Sequence, residues 1–267
     1  MRDACALSTR RLRIDSDAVS GLDGKRTIVT GASSGFGAGT VRALREAGAK
    51  VAGGARRVDR IDADVALELD VRDAASSRRF VEDAVAGLAG IDILVNNAGL
   101  ALGREPFWEA SDEDYATVIE TNVLGLMRMT RLCYPHLVAD GGGHILNMGS
   151  VAGVWAYANA ASYVAAKSAV HLYTRALRDD LHGKPVRVTN IAPGLADTEG
   201  FSTTRFKGDE AKARAVYSDV AMGGALQTQD VVDCVMFALT RPPHVNIDEM
   251  LILALAQTSG GNIKREP

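Results

Sequence analysis

The sequence predicts one α/β domain, built on a doubly wound parallel sheet with helices on both of its faces. Short apolar segments alternate with amphipathic ones along the whole chain, and no break in composition divides them. The middle apolar segments show no polar alternation, which is typical of strands buried on both faces of a parallel sheet. Strand and helix alternation within one composition class indicates a single sheet, and a chain of 267 residues can supply it.

The predicted elements follow the hydrophobic periodicity. Seven apolar segments are predicted strands: Thr27–Thr30, Lys50–Gly54, Ala66–Leu69, Ile91–Val95, His144–Met148, Val186–Ile191 and Met250–Leu253. Helices are predicted over the amphipathic segments between them, including Gly37–Glu46, Ala74–Leu88, Asp112–Leu137 and Ser162–Leu181. Only nine residues, Arg56–Asp64, join the second strand to the third. A helical crossover usually needs about a dozen residues, so we expect one turn or a loop there.

The chain ends and the composition exclude several functions. Residues 1–22 are polar and aperiodic, and we predict a flexible arm ahead of a single domain at 23–267. Arg10, Arg11 and Arg13 are basic, but no apolar stretch of signal-peptide length follows them, which argues against secretion. No segment reaches the roughly 18 apolar residues of a membrane span. A net charge of -3 gives no reason to expect nucleic acid. Three cysteines without metal-ligand spacing predict reduced thiols, a cytoplasmic location and no bound metal.

A glycine-rich turn follows the first predicted strand. Thr30 leads directly into Gly31, Ala32, Ser33, Ser34, Gly35, Phe36 and Gly37, and a helix begins there. Such a turn lets the backbone approach a pyrophosphate, and the helix N-terminus supplies free N–H groups and a favourable dipole. The spacing G-x-x-x-G-x-G also suits a plain flexible turn, but its place after the first strand favours cofactor binding.

The end of the second strand indicates which dinucleotide is bound. An Asp or Glu that would bind a ribose 2′-hydroxyl is missing, and Ala55 is followed by Arg56 and Arg57. Guanidinium groups pair well with a 2′-phosphate, so the sequence predicts NADP(H), although two solvated arginines would look the same. Asp70, with Val71, is a candidate for the adenine edge. A cap for the next helix is the other interpretation of Asp70.

Two amides follow the predicted fourth strand, in Asn96, Asn97, Ala98 and Gly99. Amides at the carboxyl end of a central strand can bond the backbone across the switch point, where doubly wound sheets bind ligands. Asn97, Ala98 and Gly99 are therefore candidates for the cofactor site, while Asn-Gly turns also occur widely.

The strongest chemical signal combines Ser150, Tyr163 and Lys167. Ser150 ends a buried predicted strand, and Tyr163 and Lys167 are four residues apart on one helix face. A tyrosine with a pKa near 10 is a poor acid or base at neutral pH, and a nearby ammonium is expected to lower that pKa. Ser150 would hold a carbonyl oxygen where charge develops. A Tyr/Lys pair at this spacing is otherwise an ordinary surface pair.

With these motifs together, the chain resembles the short-chain dehydrogenases/reductases from about Gly24 to Leu255. The resemblance implies a Rossmann sheet of seven strands in the order 3-2-1-4-5-6-7. It implies that Tyr163 is the acid/base, that Lys167 holds the nicotinamide ribose and that Ser150 polarises the substrate. It also implies that Asn122 kinks its helix and supports a proton-relay water. Further residues are expected to face the nicotinamide: Pro193, Gly194 and Thr198.

Four stretches are similar to NADP-dependent 3-hydroxy acid dehydrogenases: Ile91–Leu102, Pro193–Leu195, Arg205–Asp209 and His244–Ile247. This similarity implies oxidation of serine-like 3-hydroxy acids or reduction of the matching semialdehydes. A substrate lid is expected at about 199–225, where Arg205 and Lys207 are candidates to bind a substrate carboxylate. Solvated cations on a mobile loop are the alternative. The chain departs from those enzymes in this region, at Gly200 and at Thr203 and Thr204.

Two other functions remain open from the sequence. The first is an NADPH-dependent reductase of another ketone or aldehyde, such as an acyl-carrier or secondary-metabolite intermediate. The second is a non-catalytic NADP-binding sensor, which the presence of all three catalytic candidates argues against. Two long helices carry more apolar surface than one sheet face needs, and the resemblance implies a homotetramer built on them. The apolar residues concerned are Met127, Leu132, Val170, Leu172 and Leu177.

Overall fold

The structure, a computed structural model, describes residues 20–266. Residues 1–19 hold most of the predicted N-terminal arm, so that prediction lies outside the described residues. A short 3-10 turn at Ser20–Leu22 precedes the first strand.

The strands follow the predicted segments closely. In chain order they are β1 (Arg26–Thr30), β2 (Lys50–Ala55), β3 (Val65–Glu68), β4 (Ile93–Asn96), β5 (Gly143–Met148), β6 (Val186–Pro193), β7 (Ala196–Asp197), β8 (Leu226–Gln227) and β9 (Glu249–Ile252). Seven of them form one sheet in the order β3-β2-β1-β4-β5-β6-β9, in which every neighbouring pair is parallel. The predicted Rossmann sheet and its strand order are confirmed. The short strands β7 and β8 pair separately with each other.

In chain order the α-helices are α1 (Gly35–Glu46), α2 (Ala74–Leu88), α3 (Asp112–Ile119), α4 (Leu126–Ala139), α5 (Ala161–Asp180), α6 (Phe201–Arg205), α7 (Glu210–Ala215) and α8 (Thr228–Leu239). The last three, α6, α7 and α8, lie outside the predicted segments. The predicted helix Asp112–Leu137 is divided into α3 and α4 by a π-helical turn at Glu120–Gly125. None of the helices within residues 20–266 is long and apolar enough to cross a membrane.

Two apolar layers cover the sheet. Ile28 and Val29 are neighbours on β1 and are both 0% exposed, because they face opposite layers. On one face, α1 and α8 pack around Val29. On the other, α2, α4 and α5 pack around Ile28 and bury Phe80. A Cβ atom at Gly54 would lie 2.6 Å from the Phe80 ring, so the small residue on β2 makes room for that ring.

The shortened crossover between β2 and β3 is confirmed. Only a 3-10 turn at Val58–Arg60 separates the two strands. The Asp64 carboxylate accepts a hydrogen bond of 2.9 Å from the backbone N–H of Val51, which anchors the loop to β2. Nine residues therefore connect two parallel strands without a full helix.

Candidate active site

A cleft opens at the carboxyl ends of the central strands, where the strand order reverses. Its walls include the glycine turn, the residues after β2 and after β3, and the loop after β4. They also include the π-helical turn at Asn122, the end of β5, the start of α5 and the stretch from Thr198 to Phe201. This is the place where doubly wound sheets bind ligands.

The glycine turn has the geometry that the sequence predicts. Gly31 has a φ of +68°, and a Cβ atom on it would lie 2.9 Å from the Cα of Ala98. A Cβ atom on Gly37 would lie 2.2 Å from the Gly31 carbonyl oxygen. Ser34 precedes α1 and makes no side-chain cap, so the first N–H groups of that helix receive no cap from its side chain. Such N–H groups can bind a phosphate.

Arg57 lies beside this turn. Its Nη2 atom is 3.3 Å from the Ser33 hydroxyl and 3.1 Å from the Ser34 hydroxyl. Arg56 lines the same cleft, and its charge contributes to lowering the pKa of Asp70. The structure thus brings both predicted arginines to the cleft.

Asp70 and Val71 also line the cleft. The Asp70 carboxylate pairs with the Arg72 guanidinium at 2.7 Å, and this contact lowers the pKa of Asp70. The cap of α2 is Asp73, whose carboxylate accepts a 2.6 Å bond from the backbone of Ser76. The interpretation of Asp70 as a helix cap is therefore wrong.

Asn96, the last residue of β4, and Asn97, which follows it, bind different partners. The Asn97 amide donates to the carbonyl oxygens of Thr30 at 2.9 Å and of Gly31 at 3.2 Å. It ties the glycine turn to the loop that carries Ala98 and Gly99. The Asn96 amide instead donates to Asn147 within the core.

Asn122 lies in the π-helical turn. Its amide donates to the carbonyl oxygens of Val118 at 2.8 Å and of Leu100 at 2.7 Å. The helix is interrupted at this residue, as the resemblance implies, and the same side chain holds the loop that borders the cleft. Single π-helical turns of this kind are frequent at functional sites.

Tyr163 and Lys167 line the cleft, and Ser150, directly after the lining residue Gly149, contacts the Tyr163 phenol. The exposed fractions of Ser150, Tyr163 and Lys167 are 9%, 8% and 5%. The Ser150 hydroxyl accepts a 3.1 Å bond from the backbone of Ala152 and so caps a short 3-10 turn. The Lys167 ammonium donates to the Met148 carbonyl at 2.8 Å and lies 5.8 Å from the centre of the Tyr163 ring.

The electrostatics of this group differ from the expectation. Burial raises the pKa of the Tyr163 phenol above its ordinary value, and the Ser150 hydroxyl and the Arg205 guanidinium partly offset that rise. Burial lowers the pKa of Lys167 to about 8. The net shift of the Tyr163 pKa is therefore opposite to the expected lowering, because burial outweighs the nearby positive charge of Arg205. The Lys167 ammonium is bound to the Met148 carbonyl.

Arg205 is the buried cation of the predicted lid. It is 8% exposed, and its guanidinium carbon lies 5.9 Å from the ring centres of both Tyr157 and Tyr163. Its Nε atom donates to the Gly103 carbonyl at 3.0 Å, and its Nη1 atom is 3.4 Å from the Tyr157 hydroxyl. Its Nη2 atom is buried and has no hydrogen-bond partner within residues 20–266. A buried charged donor without a partner is costly unless a ligand satisfies it.

Lys207 does not join this site. Its side chain is 62% exposed and pairs with Asp114 at 2.7 Å. The prediction that Lys207 binds the substrate is contradicted by this geometry, because the residue comes after the end of α6 and points to α3.

The stretch expected to face the nicotinamide lies at the end of β6. Thr198 lines the cleft, and the backbone N–H of Leu195, next to Gly194, donates to the Gln257 amide oxygen at 2.7 Å. A Cβ atom on Gly194 would lie 2.1 Å from that oxygen. Gln257 orders this stretch, although no motif in the sequence indicated it.

Two tyrosines near the site were likewise not predicted. Tyr157 packs near Arg205, and the Tyr217 hydroxyl lies 2.5 Å from the Ser202 hydroxyl. Both raise the pKa of Tyr163. Neither lies in a repeated spacing with the catalytic candidates, so only the packing of the chain reveals them.

Comparison with known proteins places this geometry in a family. A family model described as short chain dehydrogenase matches residues 25–207. The NADP-dependent 3-hydroxy acid dehydrogenase YdfG of Escherichia coli (strain K12) is 42% identical over 248 residues, covering 90% of this chain and 99% of that protein. Sulfoacetaldehyde reductase 2 of Chromohalobacter salexigens is 37% identical over 86% of this chain and 94% of its own length.

A solved structure gives the same result. The closed form of serine dehydrogenase complexed with NADP+ is 43% identical, has a TM-score of 0.83, and is matched over 90% of this chain and 99% of its own. The resemblance expected from the motifs is confirmed. This chain belongs to the short-chain dehydrogenase family.

Proposed function

We propose that this enzyme transfers a hydride between NADP(H) and a 3-hydroxy acid or the matching semialdehyde. The observation that carries the substrate assignment is the buried Arg205 guanidinium. Its Nη2 atom is unpartnered among the described residues, and its central carbon lies 5.9 Å from the centre of the Tyr163 ring. The 3-hydroxy acid dehydrogenase and the NADP+-bound serine dehydrogenase, at 42% and 43% identity, support both the substrate class and the cofactor.

NADP(H) fits the cleft. The glycine turn and the first N–H groups of α1 would bind the pyrophosphate, and Arg56 and Arg57 would bind the 2′-phosphate. The residues proposed for the rest of the cofactor are Asp70, Val71, Asn97, Ala98 and Gly99 for the adenosine side and Tyr163, Lys167, Pro193, Gly194 and Thr198 for the nicotinamide side. Hydride transfer is the chemistry that this cofactor supplies when it is bound.

Tyr163 is the proposed acid/base. Burial favours its neutral phenol, which is the form that donates a proton when a carbonyl is reduced. The Ser150 hydroxyl, within hydrogen-bond reach of the phenol, would hold the same substrate oxygen and stabilise the charge that develops there. In the oxidation direction, Tyr163 would first lose its phenol proton to solvent, and the resulting phenolate would accept the proton of the substrate hydroxyl.

Lys167 and Asn122 support this centre. The Lys167 ammonium would orient the nicotinamide ribose, and its pKa of about 8 lets it exchange a proton near neutral pH. Asn122 fixes the loop at Leu100 and holds the helix turn beside the cleft, where it would support a proton-relay water.

Arg205 would bind the substrate carboxylate. Its guanidinium lies between two tyrosine rings in a poorly hydrated enclosure, where a charge-assisted hydrogen bond is strong. A carboxylate held there would bring the hydroxyl on the third carbon towards Tyr163, so that binding would also orient the reacting group. Lys207 takes no part in this proposal.

An NADPH-dependent reductase of another ketone or aldehyde is the second candidate. A sulfonate would satisfy the Arg205 guanidinium as a carboxylate does, and the similarity to a sulfoacetaldehyde reductase favours an anionic carbonyl substrate of this kind.

One assay separates the candidates. Reduction of NADP+ is measured with L-serine and 3-hydroxypropionate, and oxidation of NADPH with a panel of charged and uncharged carbonyls. We expect the 3-hydroxy acids and the matching semialdehydes to be the best substrates. Faster turnover of uncharged carbonyls than of every acid would contradict the proposal.

We also propose a homotetramer built on α4 and α5. A groove between these helices is lined by Leu124, Met127, Tyr134, Tyr173 and Leu177, among other residues. Leu124 and Met127 are 47% and 38% exposed, and Leu172 is 63% exposed. Apolar exposure of this extent usually marks an interface. Light scattering that gives one chain of 28.2 kDa at micromolar concentration would contradict this assembly.

Two of the residues predicted for the interface, Val170 and Leu132, are wholly or partly buried within the chain. Val170 is 1% exposed and belongs to the core, so it is not an interface residue. Leu132 is packed partly against the core of the helical layer.

A cytoplasmic location is part of the same proposal. The two cysteines within residues 20–266, Cys133 and Cys234, are free thiols, which suits a reducing compartment.

A further inference from the structure

Three arginines, Arg104, Arg205 and Arg265, lie close enough together for the charges of Arg205 and Arg265 to act on Arg104. Arg205 is buried, and Arg104 and Arg265 are exposed. The backbone of Gly103 donates to the Arg205 carbonyl at 2.9 Å, and the Arg205 side chain donates back to the Gly103 carbonyl at 3.0 Å. Because Arg104 comes directly after Gly103, this double contact holds Arg104 beside Arg205 at the outer side of the site.

No acidic side chain of the described residues neutralises the three positive charges. Within residues 20–266, none of the three guanidinium groups has a carboxylate within ion-pair distance. The neighbouring acid, Glu105, accepts the backbone N–H of Arg104 at 2.9 Å and is held inside its own loop. Partial burial lowers the pKa of Arg104, and the nearby charges of Arg205 and Arg265 lower it further. Like charges repel, so such a cluster is stabilised when an anion binds it.

The three arginines differ in what they have free to offer. Arg265 donates to the backbone carbonyls of Ser218 and Val216 and so belongs to the packing of the C-terminal segment. Arg205 uses Nε to bind Gly103 and retains Nη2. The Arg104 guanidinium makes no hydrogen bond to any residue of the described part of the chain, so all its donors remain for a ligand.

We infer that Arg104 is a specificity-determining residue that binds a second acidic group, and that the preferred substrates are 3-hydroxy acids with a carboxylate at each end. This inference rests on the proposed function. The buried Arg205 takes the inner carboxylate, and the exposed Arg104 takes the outer one near the entrance of the site. The positive charge of Arg265 also attracts the outer carboxylate, without contacting it directly.

The test compares two substrates that differ in one group. 3-Hydroxyglutarate and 3-hydroxyvalerate share their carbon skeleton, but the first ends in a carboxylate where the second ends in a methyl group. With saturating NADP+, we expect the wild type to show a kcat/KM at least about tenfold higher for 3-hydroxyglutarate, the effect of one charge-assisted contact. R104M should lower that value about tenfold and leave 3-hydroxyvalerate within about twofold of wild type.

A matched control removes a lid arginine outside the cluster. Arg214 is exposed on α7 and pairs with Glu210 at 3.0 Å, so R214M should leave the preference unchanged.

Equal kcat/KM for the two acids in the wild type would overturn the inference, while activity with 3-hydroxyvalerate would still support the proposed function. Equal losses with both acids in R104M would also overturn it, because the arginine would then act on the loop. Failure of the wild type with both acids and with 3-hydroxypropionate would defeat the proposed function itself.

Discussion

The two halves of the cleft are built in different ways. The cofactor half consists mainly of short loops after β1, β2, β3 and β4, and Arg56, Arg57 and Asp70 all come shortly after a strand. The substrate half is assembled from distant segments, so that Arg205 of α6, Tyr157 before α5 and Arg104 after β4 lie near one another. The geometry of the sheet positions the residues of the cofactor half, because they follow strand ends. The residues of the substrate half depend on how the segment after β6 packs against the rest of the chain. The choice of cofactor is thus encoded locally, and the choice of substrate is encoded by tertiary packing.

The largest effect is expected where the two halves meet, at Tyr163. Tyr163→Phe keeps the ring and removes its only ionisable oxygen, so kcat should fall by roughly 10²–10⁴ while the Kd for NADPH stays close to wild type. Steady-state kinetics and NADPH fluorescence titration measure the two quantities. Tyr173→Phe is the control on the same helix, since Tyr173 lies in the groove facing α4. A Tyr163→Phe enzyme with more than about a tenth of wild-type kcat would rule out this assignment.

Arg205→Met tests the substrate half alone. If the guanidinium binds the carboxylate, KM for a 3-hydroxy acid should rise at least about tenfold, while KM for its uncharged methyl ester changes little. The Kd for NADPH should not change, since Arg205 does not line the cofactor part of the cleft. Equal losses for the acid and the ester would mean that Arg205 only shapes the lid.

Arg57→Ala tests the cofactor half alone. Removing a guanidinium that pairs with a 2′-phosphate should weaken NADPH binding about tenfold and leave NADH binding nearly unchanged. The same result is expected for Arg56→Ala. Arg60→Ala is the matched control in the same loop, because Arg60 faces Glu199 at 3.6 Å. A wild type that binds NADH more tightly than NADPH in parallel titrations would contradict the assignment of the two arginines.

The smallest effect is expected at Lys207, which separates lid structure from substrate binding. Lys207→Met removes an ion pair with Asp114 whose lysine is mostly exposed. Exposed pairs contribute about 0–1 kcal/mol, so the free energy of unfolding should change by less than about 1 kcal/mol. KM for the acid should remain within about twofold of wild type. A tenfold rise in KM, comparable with that of Arg205→Met, would return Lys207 to the site.

The elements that were predictable have local causes. The apolar runs at Ile28–Val29 and at Leu94–Val95 are buried on both sides, and only a central parallel strand uses such a run. The catalytic pair was predictable because four residues make about one helical turn, which places Tyr163 and Lys167 on one face of α5. The π-helical turn at Asn122 carried no periodic signal and entered only through family resemblance.

The amino-acid sequence by itself determined the sheet and the glycine turn, and it singled out the arginines proposed for the 2′-phosphate and the proposed catalytic group. These depend on period, on spacing and on the residue types at the carboxyl end of each strand. Tertiary structure alone decided which of two lid cations enters the site. Arg205 ends α6 and is covered by Tyr157, whereas Lys207, at a φ of +51°, comes two residues later and turns out to Asp114. It also decided the electrostatics of Tyr163, because burial and the neighbours of a phenol are set by segments that are far apart in the chain.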